Sequence, residues 1–283
     1  MIPVKLPDFD MPETKDLCQE IARKSNGTCL LLFSRGKDSL CAWLQLKKYF
    51  SRIIPIHCAS FPRMRHATEV LDYYEDAMCD RSRGERILRM VGEEVPMGLP
   101  RMMYQRWEDF DLLDALDTPD FSKLDILEYV RYHLNLPKCW CAVGMSVSDS
   151  IDRRIYIKKT GGRNPNNLTF YPCGFWERPE ILKAVRESGL KLTDEYLWTN
   201  RTLGGVPSST VGKILREHYP EDYQRYLSYF PYAYAKEIRE RFLDEIWERR
   251  KSEGVVSSQE DDGDPEAGSD ILPGFGMDEG YGE

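Results

Sequence analysis

The sequence predicts an α/β fold built on a parallel sheet, and three observations carry that expectation. Short apolar runs of strand length at 28–33, 52–58 and 86–91 alternate with segments of helical periodicity at 13–25, 40–50 and 68–79. Such a β-α-β-α-β order implies parallel pairing with right-handed crossovers. The run Thr28-Cys29-Leu30-Leu31-Leu32-Phe33 also passes directly into a helix through a six-residue polar loop, Ser34-Arg35-Gly36-Lys37-Asp38-Ser39. Finally, 283 residues with 41% hydrophobic content suffice for a core. No run of eighteen apolar residues suggests a membrane span.

Each element has its own justification. Residues 1–12 are proline-rich and read as a loose arm. Leu17, Ile21 and Ala22 share a helix face, which Asn26-Gly27 can close. Leu40, Trp43, Leu44 and Leu46 set the helix after the polar loop. Arg52–Cys58 reads as a second strand, and Pro55 within it argues for an edge or irregular position. His57 reads as a strand histidine with a satisfied ring. Val70, Leu71, Tyr74 and Met78 give the next helix its inward face, and Arg86–Val91 is a third strand.

Residues 97–137 interrupt the alternation and read as a helical insertion, with helices at Trp107–Leu116 and Lys123–Leu134. Its Arg101, Tyr104, Arg106 and Trp107 fit either a substrate contact or a solvated amphipathic face. Cys141–Val143 reads as a fourth strand, followed by a turn at Gly144 and a helix start at Ser148-Asp149. Gly161–Asn167 reads as a loop, Leu168–Pro172 as a fifth strand, and Phe175–Glu180 as the start of a helix through Glu187, closed by Ser188-Gly189. Residues 207–249 read as mostly helical. The segment after 252 has no core pattern and reads as disordered. The expected organisation is thus a nucleotide-binding α/β domain over 1–206, a helical region over 207–252 and an acidic tail over 253–283.

Charge follows that division. The formal net charge is −8, yet residues 253–283 hold ten Asp and Glu and no Lys or Arg. Without the tail, 37 acids stand against 39 bases. Clusters at Arg81, Arg83 and Arg86, and at Arg153, Arg154, Lys158, Lys159 and Arg163, permit a nucleic-acid partner but equally fit solvated surface. The N-terminus lacks the apolar stretch of a signal peptide. The eight cysteines are scattered, with Cys29, Cys41 and Cys58 in apolar runs, so a reducing, cytoplasmic compartment without disulfides is expected.

The polar loop carries anion chemistry. A helix N-terminus offers unpaired N–H groups and a positive dipole end, which favour phosphate. Gly36 permits close approach of the backbone, Ser34 and Ser39 add hydroxyl donors, and Lys37 adds a charge. Asp38, in the first turn, can cap or help hold a metal. A Walker A loop is excluded because Leu31 stands where its first glycine is required, and no G-x-G-x-x-G occurs here.

The string Ser34-Arg35-Gly36-Lys37-Asp38-Ser39 resembles the S-G-G-x-D-S loop of the PP-loop ATP pyrophosphatases, with Arg35 replacing a glycine. Gly144-Met145-Ser146-Val147-Ser148-Asp149-Ser150, with Arg153 after it, looks like the G-x-R-x-x-E-S segment of the phosphoadenosine phosphosulfate reductase family. Phe170–Trp176, leading to Ile181-Leu182, Gly189-Leu190 and Tyr196, is similar to that family's Y-P-I-x-x-W...D-V-W...G-L-P...L-Y stretch.

The resemblance spans roughly residues 26–200. It implies a Rossmann-like five-stranded parallel sheet with helices on both faces, as in the adenine nucleotide α-hydrolases. It implies ATP or phosphoadenosine phosphosulfate at the loop, Mg²⁺ on the phosphates, and attack at the α-phosphorus with loss of pyrophosphate. Ser34, Arg35, Gly36, Lys37, Asp38 and Ser39 would hold phosphates, with Lys37 and Asp38 catalytic and Asp38 a Mg²⁺ ligand. Ser60 and Phe61 would lie by the adenosine, and Gly144 would flank it. Arg153 (catalytic) and Arg154 would meet the phosphate or sulfate end.

Two departures redirect the expectation. Met145 removes the family's arginine and Asp149 replaces its glutamate. No cysteine follows Cys173, so the thiol-dependent reductase reaction loses its nucleophile. The cysteine spacing argues against the family's iron–sulfur cluster, although Cys139, Cys141 and Cys173 with Cys79 would suffice for a metal if they met. The expectation is an ATP-dependent enzyme that adenylates an acceptor, a nucleic acid or a protein, with a partner protein or a homo-oligomer also allowed. Sulfur transfer to nucleic acid is its extension. A reductase or sulfotransferase with an external thiol and a non-catalytic nucleotide-binding module are the alternatives.

Overall fold

A computed structural model describes residues 3–9, 11–59, 64–91, 123–199 and 209–252. The chain divides into two compact units, the first formed by Met1–Gly92 and Lys123–Leu203. This unit is a mixed α/β structure on a six-stranded sheet. In chain order its elements are α1 (Pro12–Lys24), β1 (Thr28–Leu32), α2 (Lys37–Tyr49), β2 (Arg52–Ala59), α3 (Arg65–Met78) and β3 (Leu88–Val91). There follow α4 (Lys123–His133), β4 (Cys141–Val143), α5 (Ile151–Thr160), β5 (Arg163–Asn164), β6 (Thr169–Phe170), α6 (Arg178–Ser188) and α7 (Asp194–Thr199). The second unit's described part holds three helices: α8 (Ser209–His218), α9 (Pro220–Tyr229) and α10 (Ala233–Ser252). The expected helix at 107–116 and the tail after 252 lie outside the described residues. No helix among the described residues is long and apolar enough to cross a membrane.

The sheet order is β3-β2-β1-β4-β6-β5. Five strands run parallel, as expected; β5 is an addition, a two-residue antiparallel partner of β6. Its residues fall inside the Gly161–Asn167 stretch, where so short a strand leaves no alternation in the sequence. Pro55 sits in an interior strand, yet the expectation of an irregular position has a physical counterpart. Ile56 gives its carbonyl to Phe33 N at 2.8 Å, so the adjacent Pro55 nitrogen turns to the other side. There β3 has not begun, because its first pair is Ile56 with Leu88. The missing N–H therefore costs no ladder bond.

Strand alternation separates two cores. Cys29, Leu31 and Phe33 join α1, α2, α3 and α6 on one face, while Leu30, Ile54, Ile56 and Cys141 join α4 on the other. Helices thus cover both faces. α2 is buried almost around its circumference, from Ser39 to Leu46. Each large side chain in it contributes about 1.5–3 kcal/mol by leaving water, which fixes the helix that begins at the polar loop.

Candidate functional site

Successive strands leave β1 in opposite directions: β2 and β3 to one side, β4 and β6 to the other. The crevice beyond the carboxyl ends of β1 and β4 is therefore the topological switch point, where open α/β sheets take ligands. Two loops meet there. One is Ser34–Ser39 after β1, and the other is 144–149 after β4.

The first loop reaches α2 with Gly36 at the N-cap. Ser34 and Ser39 bond through their hydroxyls at 3.2 Å, and Ser39 donates back to Gly36 O at 2.9 Å. The first turn's N–H groups have no acceptor within the helix and face the crevice end of the strand. Lys37 donates to both carboxylate oxygens of Asp38 at 2.7 Å. Burial raises the Asp38 carboxyl above its ordinary value; Lys37 opposes this, and the nearby Asp149 carboxylate adds to it.

Gly144 holds the second loop against the first. A methyl group there would lie 2.5 Å from Ser39 N and 2.7 Å from Asp38 C, both backbone atoms of α2's first turn. Only glycine allows that approach. Beyond it, Asp149 accepts from Ser146 N at 2.9 Å and from Arg153 Nη1 at 3.3 Å. Ser150 caps α5. Ser34 to Ser39, Gly144, Asp149 and Arg153 are thus assembled around one helix end. Arg154 departs from the group: its Nε donates to Val147 O at 3.0 Å. Ser60 and Phe61 lie outside the described residues.

Arg35 has φ 71°, the left-handed region, at the position where the resembling loops carry glycine. Its guanidinium is buried and reaches Glu195 of α7 at 3.5 Å, where His66 Nε2 also stands at 3.5 Å. Glu195 is 1% exposed. Sequence reasoning does not find Glu195 or His66, since nothing local links residues 35, 66 and 195. His57 behaves as expected, with Nδ1 bonded to Phe33 O at 2.8 Å.

Cys173 Sγ lies 3.1 Å from Cys41 Sγ, but the four cysteines weighed for a metal do not gather. Cys139 and Cys141 lie in the α4-side core, and Cys79 and Cys173 in the opposite one. Among the described residues no group of three or more His, Cys, Asp and Glu could hold a metal ion. Burial pushes the Cys141 and Cys79 thiols up to about 12. Cys141 and Cys79 are therefore protonated packing groups. Asp38, largely desolvated and flanked by Asp149, fits the one or two carboxylates that Mg²⁺ takes alongside substrate phosphates.

No family model and no curated protein matches the chain. Among solved structures, the U34-tRNA thiolase NcsA of Methanococcus maripaludis with its [4Fe-4S] cluster is similar at 14% identity and a TM-score of 0.37, over 81% of this chain and 87% of that one. The NH3-dependent NAD synthetase of Campylobacter jejuni is similar at 15% identity and a TM-score of 0.33, over 81% and 94%. Both likenesses are too loose to add to what the chain's own sheet order and loops give.

Proposed function

We propose that the chain is a PP-loop enzyme that binds ATP or a related adenine nucleotide and adenylates an acceptor. The observation that carries this reading is the seating of Gly144 against the first turn of α2 at the sheet's switch point. It walls one side of the helix end with main chain.

In the proposed reaction a nucleophilic atom of the acceptor attacks the α-phosphorus. The bond to the oxygen bridging the α- and β-phosphates breaks, and pyrophosphate leaves with the electron pair. The chain supplies N–H groups of residues 36–39 and the Lys37 ammonium for the charge that builds on the departing oxygens. When the phosphates arrive, Lys37 exchanges its Asp38 partner for them. Asp38 would be the residue to hold Mg²⁺, which would supply charge neutralisation for the departing pyrophosphate. Arg153, bonded to Asp149 at 3.3 Å, would meet the α-phosphate or the acceptor. Sulfur transfer to a nucleic acid is the finer form of the reading, in which the sulfur of an external donor attacks the adenylated acceptor, the bond to the AMP oxygen breaks, and AMP leaves with the electron pair. Burial of every cysteine except Cys58 favours an external donor over one of the chain's own.

The test is pyrophosphate release from ATP with Mg²⁺ and pooled RNA, DNA or protein acceptors. Parallel reactions contain phosphoadenosine phosphosulfate with a thiol, read as sulfite. Acceptor-dependent pyrophosphate that is lost in Lys37→Ala supports the reading. Sulfite without pyrophosphate replaces it with the phosphosulfate alternative. ATP binding with no turnover on any acceptor leaves a binding module.

A further inference from the structure

Two hollows adjoin on the surface formed by α5 and α6. The first, about 420 Å³, is lined by Arg154, Lys158, Phe175, Arg178 and Pro179 together with Val147 and Ser148 of the β4 loop; its only carboxylate is Glu177. The second, about 450 Å³, continues past Arg178 and Pro179 to Leu182, Lys183 and Arg186. Five cations rim one continuous concavity.

These cations are largely uncommitted. Among the described residues, Lys158, Arg178 and Arg186 have no ion pair or side-chain hydrogen bond. Arg154 commits only its Nε, which leaves its terminal nitrogens for a ligand. Lys183 stands 4.9 Å over the Phe9 ring and only 4.0 Å from Glu187. Like charges gathered around a hollow repel one another, and an anionic occupant relieves that repulsion.

The row is too long for a single phosphate. Arg178, Leu182 and Arg186 recur every four residues on one face of α6, so the two arginines are about 12 Å apart along the axis. Arg154 and Lys158 add a second row one helical turn long on α5. Phe175 and Pro179 place flat apolar surfaces among the charges, which suits stacked bases better than an acidic peptide. Val147 and Ser148 belong to the same loop as Gly144.

We propose that the α5–α6 surface binds single-stranded nucleic acid, with phosphates on Arg154, Lys158, Arg178 and Arg186 and a base against Phe175. Its role as the acceptor track rests on the proposed adenylation; the binding itself does not.

The experiment uses the full chain and fluorescein-labelled 12-nucleotide single-stranded RNA and DNA, with the matching duplexes, followed by anisotropy at several salt concentrations. Single strands are expected to bind more tightly than duplexes, with affinity falling by about 0.7 log units per log unit of salt for each phosphate contacted. Lys158→Glu with Arg178→Glu should weaken binding at least tenfold and flatten the salt slope by about 1.4. Arg186→Glu alone should act in the same direction, and circular dichroism melts check folding. ATP binding, measured by calorimetry in parallel, should be unchanged in these variants. No strand binding by the wild type, or affinity within twofold after the charge reversals, overturns the proposal. So does a poly-glutamate peptide that binds the same residues as tightly, since the surface would then be a protein-docking site. If the chain binds the strand but no ATP, the proposed adenylation falls and this surface stands.

Discussion

Replacing Gly144 with alanine is the sharpest perturbation the structure offers. The added methyl would sit 2.5 Å from Ser39 N and 2.7 Å from Asp38 C and Ser39 Cα. These are main-chain atoms of a helix buried on nearly every side, so no side chain can swing away. Restoring an ordinary contact of 3.4 Å requires the β4 loop and the start of α2 to part by about 0.9 Å. Overpacking of this kind costs about 1–3 kcal/mol, or roughly 2–4 °C of melting temperature for each kcal/mol in a chain this large. Displacement of reacting groups by about 1 Å costs on the order of a hundredfold in turnover. The assay pairs pyrophosphate release with a thermal melt. Gly161→Ala serves as control, because φ there is 61° but nothing lies within 4 Å of the added carbon; it should lose about 1 kcal/mol and no activity. Wild-type turnover in Gly144→Ala, with a melting point within 1 °C, would refute the close approach and the site built on it.

Other consequences are independent of that contact. Arg35→Gly relieves the left-handed strain, worth about 1–2 kcal/mol, but takes the guanidinium from buried Glu195 and leaves it His66 at 3.5 Å; breaking a buried pair costs about 3–5 kcal/mol, so a net loss of about 2–3 kcal/mol in urea unfolding is expected. Adding Glu195→Gln should recover at least half of it, and a more stable Arg35→Gly would show that the pair contributes nothing. Because the folded Asp38 pKa lies above its unfolded value, its contribution to stability is present below pH 3.8 and lost as pH rises through the raised folded value. A carboxyl-detected NMR titration should place the Asp38 midpoint above 3.8, lower in Asp149→Asn and higher in Lys37→Met; the opposite order would sink the electrostatic account of the site. Of the eight free cysteines only Cys58 is partly exposed, so a thiol reagent should label about one promptly in the native protein and all eight in guanidinium. Three or more fast thiols would contradict the two-core packing.

What the sequence revealed tracks how local each interaction is. β1, the polar loop and α2 were legible because an apolar strand, a loop of Ser, Gly, Lys and Asp, and a helical repeat are contiguous in the chain. β4 was legible at Cys141–Val143 although it is three residues long, since Gly144 marks its end. β5 was not, because two residues between Gly161-Gly162 and Pro165 carry no period. The helix Asp194–Thr199 was also unseen, being too short for a repeat to show. Arg35 read as a departure from a glycine, but the partner that offsets its strain lies 160 residues away, beyond any local pattern. Pro55 pointed to an interrupted ladder; that β3 begins one residue later depends on register, which the sequence does not display. The scattered cysteines were divided between opposite faces of the sheet by the alternation of β-strand side chains, a consequence of strand order.

The central claim is that the helix end at 36–39 grips adenine-nucleotide phosphates. Backbone amide NMR during an ATP titration with Mg²⁺ tests it most directly. Saturable shifts concentrated at Gly36, Lys37, Asp38, Ser39 and Gly144, absent in Lys37→Ala, are the predicted result. Saturable binding that leaves those five amides unmoved would contradict it.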